Sequence, residues 1–169
     1  TDKVNRGEAF QKLYHKAFTE NGHDEVESAL LSAGQTLLAD SSISDEFKAM
    51  CLEFPSQSEL EQSANPVNPI WLFQRRLGLA QTLGNACAAW ISSYVQASEN
   101  QQNPRSRSLL QKALYLGVQA GLDDVIAQAG VLADHDNMTV SMAALRALNM
   151  TNHPERAEAL KRFGKRWSQ

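Results

Sequence analysis

The chain has 169 residues, of which 43% are hydrophobic and 21% charged, and its formal net charge is -3 at pH 7. This apolar content argues against intrinsic disorder, and no apolar stretch approaches the roughly 20 residues of a membrane-spanning helix. Leu and Ala together number 42, whereas Val and Ile together number 12, a balance that favours helices over strands. The composition therefore predicts an all-α protein that does not span a membrane.

Charge is divided unevenly along the chain. Residues 1–64 carry 5 Lys or Arg against 12 Asp or Glu, whereas residues 65–169 carry 11 against 7. The basic residues form no run with interleaved aromatic side chains, so we expect no nucleic-acid partner. A favourable interaction with the C-terminal end of a helix explains the last basic group. Its members are Arg156, Lys161, Arg162, Lys165 and Arg166.

Turn and capping residues divide the acidic part, residues 1–64, into helices. Asn21-Gly22 predicts the end of the first helix, and apolar spacing predicts a second from about residue 24 to residue 38. Ser44 is typical of an N-cap and predicts a short helix that is stopped by Pro55. The predicted buried side of this helix consists of Phe47, Met50 and Cys51.

A second short helix is predicted by the capping box Ser56-Gln57-Ser58-Glu59. After it, Asn65-Pro66-Val67-Asn68-Pro69 marks the clearest break, because proline biases the preceding residue away from helical geometry. From there the apolar pattern continues without a proline and predicts one long central helix over residues 69–98. This helix is apolar on two sides, which is typical of a helix packed between others. Three small residues predict a close helix–helix approach: Ala80, Gly84 and Cys87.

The basic part that follows, residues 104–169, is predicted to form helix pairs. Gly121 predicts a helix stop, Asp123-Asp124 occupy the first turn of the next helix, and Pro154 begins the last one. The apolar residues predicted for this last helix are Ala157, Leu160, Phe163 and Trp167. A predicted core stripe consists of Met138, Met142 and Met150.

Eight or nine helices joined by short loops favour antiparallel helix pairs stacked as an irregular α-solenoid or superhelix of the armadillo or HEAT type. Leu38-Ala39-Asp40 recurs once, as Leu132-Ala133-Asp134, so no regular tetratricopeptide or ankyrin array is predicted. We interpret residues 1–169 as a single all-α region.

No catalytic, cofactor-binding or metal-binding residue is predicted in the chain. The four histidines lie apart, without the H-E-x-x-H spacing of a zinc site, and the glycines form no phosphate-binding loop. His135-Asp136 is interpreted as a solvated turn histidine beside a helix-capping aspartate. Cys51 and Cys87 lie on apolar helix faces, so we expect reduced core thiols and a cytoplasmic location. Arg75-Arg76 is interpreted as a solvated face of the long helix.

Several segments resemble one family in the same order along the chain. Asn137-Met138-Thr139 followed by Ala143-Ala144-Leu145 resembles the "NMT…AL.AL" segment in the C-terminal helical domain of the bacterial aminopeptidase N family of zinc aminopeptidases. Phe47-Lys48-Ala49 leading to Pro55-Ser56, Asn68-Pro69-Ile70, and the closing Phe163-Gly164-Lys165-Arg166-Trp167 are similar to further family segments. The resemblance covers about residue 24 to the end, and residues 1–23 match more weakly.

The resemblance implies that the chain is the first half of a helical domain that packs over a zinc-containing catalytic domain. In this family, such a domain closes a chamber and limits entry to short peptides. The family's H-E-x-x-H and G-x-M-E-N motifs have no counterpart here, so no catalytic or zinc-binding residue is carried over, and the chain is predicted to be inactive alone. The Asn137-Met138-Thr139 turn is predicted to be structural, with Asn137 or Thr139 as the helix cap.

We therefore expect a non-catalytic part of a zinc-dependent aminopeptidase, with the catalytic domain of the same polypeptide and short peptides as partners. The first residue is Thr1 and not Met, which fits a fragment of a larger domain. The alternative is a stand-alone helical-repeat module for protein–protein interaction. As a part of a larger domain separated from its neighbours, the chain is expected to leave apolar faces uncovered and to self-associate.

Overall fold

The computed structural model of the protein describes residues 2–19, 23–63, 68–98 and 104–167, and in these ranges the regular structure is helical, without strands. Ten helices lie in this part of the chain, so the all-α prediction is confirmed. They are α1 (Asp2–Thr19), α2 (His23–Ala39), α3 (Asp45–Cys51), α4 (Gln57–Ser63), α5 (Pro69–Ala86), α6 (Ala88–Ala97), α7 (Pro104–Gln119), α8 (Asp123–Leu132), α9 (Met138–Leu148) and α10 (Pro154–Trp167). Of the described helices, none is both long and apolar enough to cross a membrane.

The helices stack in chain order around α7. At one end α1 packs on α2, and α2 packs on α5. In the middle, α7 contacts α3, α5, α6, α8 and α9. At the other end α8 packs on α9, and α10 covers both. This order is that of stacked helix pairs, in which each unit buries its apolar face against the next.

Helix α7 has the central position because its apolar residues cover most of its circumference. Leu109, Leu110, Ala113, Leu114 and Leu116 are all buried. A helix that is apolar on nearly every side is stable only when other helices surround it. The sequence predicted this role for the helix over residues 69–98, whereas the structure gives it to α7.

The predicted long helix over residues 69–98 is interrupted at Cys87, and this prediction was wrong. Cys87 has φ -106° and ψ 12°, between the end of α5 and the start of α6. Backbone hydrogen bonds continue on either side, from Cys87 N to Leu83 O at 3.1 Å and from Ile91 N to Cys87 O at 3.0 Å. At the break the Gln35 side chain of α2 donates to the Ala86 carbonyl at 2.7 Å. A contact from another helix therefore accompanies the break, and apolar periodicity does not report it.

The predicted caps are confirmed where the structure describes them. Ser44 Oγ accepts from Phe47 N at the start of α3. In the capping box, Ser56 N donates to the Glu59 carboxylate at 2.7 Å while Glu59 N donates to Ser56 Oγ at 3.3 Å. Gly121 has φ +71°, as the predicted stop requires. The predicted turn at residues 21–22 and the proline break at residues 65–67 lie outside the described residues.

Several predicted core residues lie at the surface instead. Met50 is 51% exposed, and α3 buries Lys48, Ala49 and Cys51. Two members of the predicted methionine stripe are also exposed, because the buried faces of these helices follow their neighbours and not the local pattern alone. The other exposed residues from the predicted apolar faces are Ile70, Phe73, Met138, Met150, Ala157 and Leu160. The side chain of Trp167 lies outside the described part.

The predicted close approach is confirmed at Gly84, where α5 crosses α7. A Cβ added at residue 84 would lie 2.3 Å from the Leu116 carbonyl oxygen and 2.8 Å from the Ala120 Cβ. The nearest obstacle is backbone, which cannot rotate away as a side chain can. A glycine at this position therefore sets the distance between the two helices.

The two glycines of α5 give a matched test of this crossing. Gly84→Ala should lower the free energy of unfolding by about 2 kcal/mol or more, because the added methyl group overlaps the α7 backbone. Gly78→Ala should raise it by about 0.5–1 kcal/mol, because a Cβ there meets no atom within 4 Å and alanine favours a helix. Urea unfolding followed by circular dichroism measures both. Equal stability changes for the two variants would contradict the close approach.

Candidate functional site

The described residues contain no group of three or more His, Cys, Asp or Glu that could hold a metal ion. Two histidines accept hydrogen bonds from backbone N–H groups through Nδ1: His135 from Asn137 at 2.9 Å and His153 from Glu155 at 3.2 Å. Both therefore stabilise the start of a helix. His15 lies exposed on α1, and the side chain of His23 lies outside the described part.

Both cysteines are free thiols buried in the core, as predicted. Burial raises the pKa of Cys51 and that of Cys87 to about 11 each. The reactive form of cysteine is the thiolate, which such a pKa makes scarce at neutral pH. Their environment favours packing over nucleophilic chemistry.

The turn that carries the family-like Asn137-Met138-Thr139 sequence is a helix start. Asn137 Oδ1 accepts from Thr139 N at 3.0 Å and from Val140 N at 3.4 Å, so Asn137 is the cap of α9. Ser141 Oγ donates to the Ala133 carbonyl at 2.6 Å and closes the turn. Met138 is exposed. The interpretation of Asp136 as the capping residue was wrong, since the asparagine has this role.

Helix α10 binds this turn through two arginines. Arg162 forms ion pairs with Asp134 at 2.7 Å and with Glu155 at 3.1 Å, and it also donates to the Gly130 carbonyl at 3.0 Å. Arg166 pairs with Asp136 at 2.7 Å. From the sequence, Arg162 and Arg166 were assigned only an interaction with the helix dipole. The structure gives both arginines specific acidic partners. Their position holds α10 against the end of α8.

Arg75 and Arg76 are both half-buried, so the prediction of a solvated face was wrong. Arg75 forms an ion pair with Glu27 at 2.9 Å, and its Nε donates to the Ala17 carbonyl at 3.2 Å. It therefore connects α5 to both α1 and α2. Arg76 lies in a different place, in a cleft on another side of α5.

This cleft has a volume of about 280 Å³ and lies between the α3–α4 connection, α5, α7 and α9. We call it the α5–α7–α9 cleft. Its walls combine apolar groups with three cations and one acid. It is lined by Leu52, Glu53, Phe54, Arg76, Gln111, Lys112, Tyr115, Ala143, Arg146, Ala147 and Met150. Of these residues, Arg76, Ala143 and Met150 were named from the sequence, but none of them was assigned to a site.

A second surface feature lies at the start of α5. Ile70, Trp71 and Phe73 are 72%, 40% and 48% exposed. We call these three residues the α5 apolar patch. Large apolar side chains exposed together at the start of a helix are typical of a surface that another protein part covers.

Comparison with known proteins gives a family and a fold. A family model described as "Domain of unknown function (DUF3458_C) ARM repeats" matches residues 1–169. The fold is similar to that in a crystal structure of Legionella pneumophila aminopeptidase A in complex with aspartic acid, with a TM-score of 0.73 and 18% sequence identity. The match covers 100% of this chain and 22% of the Legionella chain. No curated protein matches the sequence.

The environment of the cysteines predicts slow thiol chemistry in the folded chain. At pH 8 a thiol with a pKa near 11 is ionised in roughly one molecule in a thousand, so modification by Ellman's reagent should be at least about a hundredfold slower than in urea. Cys51→Ala and Cys87→Ala, measured separately, assign the rate to each thiol. A thiol that reacts as fast in the folded chain as in urea would contradict a buried, structural role.

Proposed function

The chain belongs to the DUF3458_C family of ARM repeats, and from this premise we propose that it is a non-catalytic helical cover of a zinc-dependent aminopeptidase. In this proposal it helps to enclose the chamber around the active site and limits access to short peptides. The single observation that carries the proposal is the fold match of the whole chain to 22% of an aminopeptidase. The sequence resemblance to the aminopeptidase N helical domain supports it as well.

The proposal gives the chain a mechanical role. Zinc would activate water for peptide hydrolysis in the catalytic part. The described residues offer no set of zinc ligands, so we assign the metal and the reaction to residues outside them. This chain would supply a rigid wall, for which the buried core and the arginine contacts of α5 and α10 are suited. The two free thiols support a cytoplasmic location.

The α5 apolar patch is the surface that we assign to contact with the catalytic part. Trp71 and Phe73 are large and more than a third exposed, and aromatic residues are enriched in interface cores. The other aromatic side chains that the structure describes lie in the hydrophobic core or pack against it. The patch is therefore the part of this surface most suited to a domain interface.

The coding sequence that flanks the chain is the first test. An H-E-x-x-H motif encoded upstream in the same reading frame is the expected result. A start codon directly before Thr1, without such a motif, would overturn the proposal. That outcome would favour the alternative of a stand-alone interaction module.

If the chain limits access to the chamber, the full polypeptide should change its preference for short over long peptides when the cover is loosened. The double substitution Trp71→Ser/Phe73→Ser should loosen the cover and raise kcat/KM for a ten-residue peptide relative to a dipeptide by about threefold or more, because less binding energy holds the chamber closed. Val131→Ser is the matched control, since Val131 is also exposed but lies on α8. An unchanged ratio in the double variant would contradict the assigned interface.

For the isolated chain, the same patch predicts self-association. Sedimentation velocity should give a weight-average mass that rises with concentration, because two exposed aromatic side chains can be buried between copies. Trp71→Ser/Phe73→Ser should shift the equilibrium to the monomer, whereas Val131→Ser should leave it unchanged. A strictly monomeric chain at all concentrations would contradict this prediction.

A further inference from the structure

The α5–α7–α9 cleft carries more positive than negative charge. Arg76, Lys112 and Arg146 line it, and Glu53 is the one acid among its lining residues. Glu53 forms its ion pair with Lys112. Within the described part of the chain, neither arginine has an ion-pair partner. Two guanidinium groups therefore face one small cleft without a compensating carboxylate.

Arg76 shows the lack of a partner most clearly. Its Nε is buried and has no hydrogen-bond partner, and arginine stays protonated at all ordinary pH values. A buried donor without an acceptor is unfavourable, because the group loses its hydrogen bonds to water. The protein itself thus places a charged, half-buried group here without supplying an acceptor for all of its donors.

Two aromatic residues of the lining, Phe54 and Tyr115, add an apolar surface and a further donor. Phe54 and Tyr115 pack edge to face, with ring centroids 6.3 Å apart and an interplanar angle of 85°. Burial raises the pKa of the Tyr115 hydroxyl, and the Arg76 charge lowers it to a smaller extent. The hydroxyl is therefore protonated at neutral pH. A ligand in the cleft would meet an aromatic surface beside groups that donate hydrogen bonds.

The volume limits what the cleft can hold. Sites for drug-sized ligands are about 300–1,000 Å³, so about 280 Å³ admits a ligand of one ring or one side chain plus a charged group. Guanidinium groups match the geometry of carboxylate and phosphate oxygens. We propose that the α5–α7–α9 cleft binds a small oxyanion, a carboxylate or a phosphate, attached to an apolar or aromatic body. This site is independent of the aminopeptidase context.

Isothermal titration calorimetry of the 169-residue chain with benzoate, phenyl phosphate and benzamide tests the proposal. At least one of the two anions should bind at a single site, and the neutral amide should bind at least about tenfold more weakly. Binding of benzoate alone identifies a carboxylate site, and binding of phenyl phosphate alone identifies a phosphate site. No saturation by either anion up to about 10 mM, or equal binding of benzamide, would overturn the proposal.

Matched variants locate the binding. Arg76→Gln and Arg146→Gln should each lower the affinity for the anion about tenfold or more. Arg146 is exposed, so its variant should fold even if the Arg76 variant does not. Arg6→Gln is the control for charge alone, because Arg6 lies on α1 and is 49% exposed. If Arg6→Gln weakens binding as much as Arg146→Gln does, the cleft is not the site.

Glu53 provides a variant with the opposite effect. Glu53→Gln removes the one acid of the lining and releases Lys112, so the anion should bind about threefold more tightly or better. The substitution keeps the size of a side chain that is 59% exposed. A loss of affinity in Glu53→Gln would overturn the proposal, because it would show that the ligand is not attracted by the net charge of the cleft.

Discussion

α5 and α7 cross where Gly84 faces the backbone of Leu116, and the position of most other helices follows from this contact. No side chain fits at residue 84, since its Cβ would lie 2.3 Å from a carbonyl oxygen. The close crossing places α7 in the centre, where it also packs on α3, α6, α8 and α9. The walls of the α5–α7–α9 cleft are parts of the same helices. A change in the crossing distance would therefore alter both the core and the cleft.

The uneven charge of the sequence is explained in part within the chain. Arg75 pairs with Glu27, and Lys112 pairs with Glu53. In both cases a cation from residues 65–169 meets an acid from residues 1–64. Such pairs contribute little individually when exposed, but the Arg75 pair is mostly buried on both sides. The asymmetry thus partly serves to hold the first helices on α5 and α7.

Local features of the fold could be predicted from the sequence, and long-range ones could not. Ser44, the Ser56 capping box and Pro154 mark helix starts because a cap depends on residues within one turn. The break at Cys87 depends on the neighbouring helices, and the Gln35 contact there comes from 51 positions away from Ala86. The cleft likewise joins residues from α5, α7 and α9, whose spacing in sequence has no motif. Its one sequence signal was Arg76 on an otherwise apolar helix.

Arg75 and Arg76 show how one dipeptide can serve two purposes. Successive side chains on an α-helix point about 100° apart, so the two guanidinium groups face different neighbours. Arg75 forms an ion pair with Glu27 and donates from Nε to the Ala17 carbonyl, although its Nη2 is buried without a hydrogen-bond partner. Arg76 is half-buried, and its Nε has no partner, so packing alone does not explain the charge. An apolar side chain of similar length would fill that position without a buried donor. An anion in the α5–α7–α9 cleft would compensate the charge of Arg76, which has no ion-pair partner among the described residues.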